Sequence, residues 1–166
     1  QQYDPVYAAM VKAVDISVGR ILQTIKELDL EKNTLVVFSS DNGGVAYISD
    51  NTPLRAGKGS LYEGGIRVPT AMKWPRVIQS GSTCNTPITS VDFLPTCAEL
   101  GRAPLPTEQP VDGKSFVPLL KGEPALENRS IFWHFPLYLQ GNGEQNFIPL
   151  PGGSVGEGMG WRTTPA

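Results

Sequence analysis

Histidine occurs once and cysteine twice in the 166 residues, and each scarcity closes a route. A histidine-based triad has little support, because no serine or cysteine stands in a pattern that pairs with His134. Cys84 and Cys97 are too few for a disulfide framework, and their spacing fits no zinc-ligand pattern. Clusters of lysine or arginine are missing and the net charge is -2, so neither a nucleic-acid backbone nor an anionic membrane surface has an electrostatic reason to bind. Nowhere do eighteen apolar residues run together, and the opening Gln1-Gln2-Tyr3-Asp4-Pro5 lacks the basic and then apolar layout of a signal peptide.

What is present suits a globular chain. Hydrophobic residues make up 40% and charged residues 18%, well away from the composition that stays disordered. Met10, Val14, Val18, Ile21, Ile25 and Leu28 recur at steps of three and four, which predicts a long amphipathic helix ending near Asp29, with Asp15 and Arg20 solvated. The run 34–40, Thr-Leu-Val-Val-Phe-Ser-Ser, reads as a strand covered on both faces. A second strand is expected over 68–74, with Pro69 at its start.

Residues 90–100 read as a helix capped by Ser90 or Asp92 and stopped by Gly101, its apolar face being Val91, Leu94 and Ala98. Pro104, Pro106, Pro110 and Pro118 then mark a connector with a brief helical turn near 116–120. A strand-like run over 130–135 and a glycine-rich stretch over 141–160 complete the chain. Helix, turn and buried strand in succession indicate an α/β layered domain, with helices on a mixed sheet.

Asp41-Asn42-Gly43-Gly44 falls at the carboxyl end of the first predicted strand, where open α/β sheets place their ligands. A carboxylate followed by an amide offers hard oxygen ligands for calcium or magnesium, although by residue type alone an ordinary turn is the commoner reading. Lys58 stands between Gly57 and Gly59, so its ammonium can reach a bound oxyanion. A Walker A phosphate loop fails here, because Gly59 follows the lysine where Ser or Thr is needed. Glu63 and Arg67 pair if their segment is helical, a structural role. A lone histidine in an aromatic strand, as His134 is, more often packs than reacts. Asn128-Arg129-Ser130 matches a glycosylation acceptor.

In this order the segments resemble the later part of the sulfatase family. The blocks that carry the resemblance are 34–43, ending Ser-Asp-Asn-Gly, and 54–59 with 62–69, Leu-Arg-Ala-Gly-Lys-Gly and Tyr-Glu-Gly-Gly-Ile-Arg-Val-Pro. Met10 to Leu28, 92–96, 112–115 and 132–136 continue it. The resemblance implies hydrolysis of a sulfate ester by a formylglycine made from a Cys/Ser-x-Pro-x-Arg motif. It further implies Asp41 and Asn42 as calcium or magnesium ligands, with Asp41 also acting on the hydrated aldehyde. Lys58 would bind sulfate and assist the leaving oxygen, and His134 would line the substrate pocket.

No cysteine or serine here opens the Cys/Ser-x-Pro-x-Arg motif. The expectation is therefore a fragment: residues 1–101 from the catalytic α/β domain, 102–120 a connector, and 121–166 the beginning of a small C-terminal subdomain. Such a fragment is expected to be inactive alone and to self-associate through exposed apolar surface. The family implies a sulfated small molecule or carbohydrate as partner and a periplasmic or secreted location. Two alternatives stand beside it: a phosphoric ester hydrolase of the same superfamily, and a non-catalytic binding module.

Overall fold

The computed structural model describes residues 4–46, 48–134 and the backbone of 162–163. The chain divides into two units, Gln1–Met72 with Phe132–Thr163, and Lys73–Ile131 with Thr164–Ala166. Helices and short strands are interspersed along it, an α/β architecture as the sequence indicates.

In the first unit, helix α1 spans Pro5–Glu27. The Asp4 carboxylate accepts from the backbone N–H groups of Val6 at 2.8 Å and Tyr7 at 3.0 Å, which satisfies two donors that the first turn leaves open. Pro5 occupies the first turn, where its missing N–H removes nothing. The helix ends with Asp29 in the left-handed region at φ 53° and the Leu30 N–H donating to the Ile25 carbonyl at 3.0 Å. The helical period is as predicted, but no residue of α1 is buried. Val18 and Ile25 of the stripe are half-buried, whereas Met10, Val14, Ile21 and Leu28 are exposed.

Strand β1 spans Val36–Ser39 and pairs with β2, Thr70–Lys73, which begins directly after Pro69. Proline has no ladder donor, so it stands outside the pairing. The Ser39 and Thr70 hydroxyls meet at 2.9 Å across the two strands. The sequence led us to expect β1 covered on both faces. Instead Val36 and Val37 are half-buried and Phe38 is exposed, since among the described residues β2 alone flanks it. Between the two strands lies the short helix α2, Glu63–Ile66. Strand β3, Phe132–Trp133, pairs antiparallel with β4, Arg162–Thr163, Phe132 opposite Thr163. The predicted continuation of β3 beyond His134 lies outside the described residues.

In the second unit, a 3-10 turn over Ser90–Asp92 leads into α3, Phe93–Gly101, and α4 spans Val117–Leu120 as the predicted helical turn. Phe116, Val117 and Leu120 are buried, and the Phe93 and Phe116 rings meet edge to face at 5.4 Å. Two expectations for α3 are corrected. Val91 and Leu94 are exposed, while Pro95 and Thr96 are buried, so the helix packs through another face. Arg102, at φ 52°, takes the left-handed terminal position that we expected of Gly101.

The reason for the changed face is Asp92, which is fully buried. Its carboxylate accepts from the backbone N–H of Thr89 at 2.7 Å and of Lys114 at 2.9 Å. Both oxygens also receive the Arg129 guanidinium at 2.9 Å. Burial pushes the Asp92 carboxyl up, but Arg129 and the two backbone N–H groups outweigh it and hold the group below the ordinary carboxylate value. The Thr96 hydroxyl donates to the Asp92 carbonyl at 2.7 Å and accepts the Phe116 N–H at 3.0 Å, which ties α3 to the start of α4.

Candidate functional site

The turn that leaves β1 carries Asp41 and Asn42. The Ser40 hydroxyl donates to the Asn42 carbonyl at 2.9 Å, which helps to curl the chain after the strand. Asn42 Nδ2 donates to the Gly43 carbonyl at 3.0 Å, so the amide oxygen faces away from that bond. Asp41 is exposed and Asn42 is half-buried.

A second segment, 51–65, folds back on this turn through its backbone. The Lys58 N–H donates to the Gly44 carbonyl at 2.9 Å, and the Gly43 N–H donates to the Gly65 carbonyl at 2.9 Å. The Gly64 N–H donates to the Arg55 carbonyl at 2.8 Å. Glycine is required where these backbones cross: a Cβ on Gly43 would overlap the Gly64 carbonyl, and a Cβ on Gly64 would overlap the carbonyls of Arg55 and Ala56. Asp41, Asn42 and Lys58 therefore belong to one bonded loop pair. Lys58 itself is exposed, with Gly59 beside it at φ 88°.

Side chains reinforce the pair. Asn51 Nδ2 donates to the Gly44 carbonyl at 2.9 Å and to the Ala56 carbonyl at 3.1 Å. The Arg55 guanidinium lies 3.9 Å from the centre of the Tyr62 ring. Asp50, fully exposed, is held below the ordinary carboxylate value by Thr52, whose backbone N–H donates to it at 2.9 Å. The expected Arg67–Glu63 pair forms at 2.9 Å across α2. His134 follows β3 and is exposed, on a different strand pair from the loops of Asp41 and Lys58. Sequence reasoning overlooked Asn51, Arg55 and Tyr62. Their signal was proximity to the glycine-flanked lysine, which residue type alone does not raise above a turn.

A carboxylate oxygen and an amide oxygen on adjacent residues suit a hard divalent cation. Among the described residues no three His, Cys, Asp or Glu side chains gather, and calcium takes six or more oxygens, so Asp41 and Asn42 by themselves would fill only part of such a shell. The ammonium of Lys58, on the segment bonded to this turn, is a positive charge suited to a tetrahedral oxyanion.

Comparison with known proteins identifies the family. The family described as Sulfatase matches residues 1–103. A protein named "Sulfatase" from Formosa agariphila is 40% identical over 146 residues, covering 80% of this chain and 26% of its own length. The crystal structure of Ps i-CgsB in complex with k-i-k-neocarrahexaose matches with a TM-score of 0.72 and 40% identity, over 76% of this chain and 28% of that one. The structure of BT4656 in complex with its substrate D-Glucosamine-2-N, 6-O-disulfate matches with a TM-score of 0.65 and 29% identity, over 84% of this chain and 27% of that one. The chain thus spans about a quarter of the length of the proteins it matches.

Proposed function

The chain belongs to the sulfatase family, and from that premise we propose that it supplies part of the site of a sulfate-ester hydrolase. Asp41 and Asn42 hold a divalent cation, calcium or magnesium, and Lys58 holds the sulfate. One observation supports this reading above the others. The Gly44 carbonyl, two residues after Asn42, accepts the Lys58 N–H at 2.9 Å, so a backbone bond joins the segment of the cation ligands to that of the sulfate-binding lysine.

Sulfuryl transfer spreads negative charge over the sulfate oxygens and the departing alcohol oxygen. The Lys58 ammonium is a compact point charge that neutralises this growing charge, and a preorganised cation of this kind lowers the barrier without reorganising during reaction. A bound cation would supply further neutralisation as a Lewis acid. Asp41 and Asn42 would orient it, and His134 would contact the substrate beyond the sulfate. Neither Cys84-Asn85-Thr86-Pro87 nor Cys97-Ala98-Glu99-Leu100 suits a formylglycine precursor. We assign the nucleophile to residues other than these 166.

The substrate class we propose is a sulfated carbohydrate, because a glucosamine disulfate is the substrate of one structural relative and a neocarrahexaose is bound to another. Among the described residues no helix is long and apolar enough to cross a membrane. A periplasmic or secreted location is proposed on family grounds alone.

The test is turnover of aryl and sugar sulfates by the full reading frame that contains this chain. Lys58→Ala and Asp41→Ala are each expected to lower kcat/KM roughly 100- to 1000-fold. Unchanged activity in both variants would remove these residues from the site. The isolated 166-residue chain is expected to give no turnover, and measurable hydrolysis by it would overturn the placement of the nucleophile elsewhere.

A further inference from the structure

We propose that Asn51 is a positioning residue that locks the cation-binding turn to the sulfate-binding lysine, so that the two halves of the site are set by one amide group. This rests on the reading of Asp41, Asn42 and Lys58 given above. Asn51 is half-buried and touches neither half through its own charge, since it has none. Its Nδ2 instead donates to two backbone carbonyls twelve residues apart, Gly44 at 2.9 Å and Ala56 at 3.1 Å.

Each of those carbonyls stands two residues from a functional side chain. Gly44 follows Asn42, and its carbonyl also accepts the Lys58 N–H at 2.9 Å, so two donors converge on one oxygen. Ala56 precedes Lys58 and sits in the left-handed region at φ 62°, a conformation that a residue with a Cβ rarely adopts. The bond from Asn51 to the Ala56 carbonyl helps to hold that conformation. Ser, Asp or Ala at position 51 would lack the pair of amide hydrogens that this bridge uses.

Asp is the most informative replacement. It keeps the shape of Asn but turns carboxylate oxygens toward the two carbonyl oxygens, so the bridge becomes a repulsion. Displacing a positioned group by about 1 Å can lower a rate roughly hundredfold. Asn51→Asp in the full reading frame is therefore expected to lower kcat for an aryl sulfate by about that factor. It is also expected to raise the calcium concentration giving half-saturation in calorimetric titration at least about fivefold, because both loops lose their register. Hydrogen–deuterium exchange of the peptide containing the Lys58 and Gly64 amides should accelerate, while peptides from residues 89–120 keep their protection. Asn51→Ala, which removes the bridge without repulsion, should show the same changes to a smaller degree.

The outcomes separate the two readings. If Lys58→Ala and Asp41→Ala abolish activity while Asn51→Asp changes kcat and calcium affinity less than twofold, the site assignment stands and the role of Asn51 is wrong. Should exchange accelerate everywhere and activity per folded molecule stay constant, Asn51 serves only the fold, and the proposal is likewise wrong. Full activity in the Lys58 and Asp41 variants would instead remove the reading on which it rests.

Discussion

The loop pair of residues 41–67 and the buried ion pair of residues 89–129 hold themselves together by opposite means. In the loops, carbonyls and N–H groups of the main chain bond to one another across glycines, and the side chains with chemistry, Asp41 and Lys58, are left exposed. In the second region the main chain is held by a side chain: the Asp92 carboxylate receives four hydrogen bonds in full burial. On the proposed function these loops present charges to a ligand, and charges so used do not serve as the loops' own fasteners. The second region has no such restriction and uses its charges inwardly.

The largest effect is expected at Asp92. Asp92→Ala leaves Arg129 without its bidentate partner and two backbone N–H groups without an acceptor. A loss of about 3–5 kcal/mol in urea unfolding is expected. A loss below about 1 kcal/mol would show that the ion pair does not fasten this region. The sign with pH follows from the depressed carboxyl: the pair's contribution is present above the ordinary Asp value near 3.8 and is lost as pH falls through the lower folded value. In Asp92→Ala the acid limb of the stability profile should flatten.

The second effect belongs to the loops. Gly64→Ala places a Cβ against the carbonyls of Arg55 and Ala56, both of which are main chain and cannot swing aside. It is expected to destabilise by about 1–3 kcal/mol. Lys58→Ala, a few residues away, should stay within about 0.5 kcal/mol of the parent because the side chain is exposed. Equal losses in the two variants would erase the distinction between framework glycines and displayed charges.

Local pattern made the elements of both regions readable, and their distant partners not. The α1 stripe, the apolar run of β1 and the strand start at Pro69 are signals within a few residues, and each produced the expected element. The glycines around Asp41 and Lys58 read as a turn and as room for the lysine, and the backbone crossing that they permit came only from the structure. Asp92 read as a helix cap and does stand at the start of α3, accepting from the Thr89 N–H, but its other partners, Lys114 and Arg129, stand 22 and 37 residues away. Arg129 itself was visible only as the middle of a glycosylation acceptor. For the same reason Val91, Leu94 and Ala98 were chosen as the packed face: periodicity identifies a stripe, but a buried carboxylate determined which stripe turned inward. The extent of burial on α1 was equally illegible, because an amphipathic pattern says that a face is apolar and not what covers it.

The smallest expected effect sharpens the comparison at its boundary. Arg67 and Glu63 form an ion pair at 2.9 Å, as closely spaced as Arg129 and Asp92, yet their side chains are 69% and 44% exposed against 14% and 0%. Water and salt screen the exposed pair, and both side chains lose rotamer freedom to hold it, so the net coupling is expected to be about 0.3–0.5 kcal/mol. A double-mutant cycle with Glu63→Ala and Arg67→Ala measures that coupling directly. A value near 3 kcal/mol would mean that the loop region does fasten itself with side-chain charge, and that distance rather than burial sets the strength of these pairs. A value that vanishes in 0.5 M salt, roughly three times physiological ionic strength, would leave backbone bonding and Asn51 as what holds the loops.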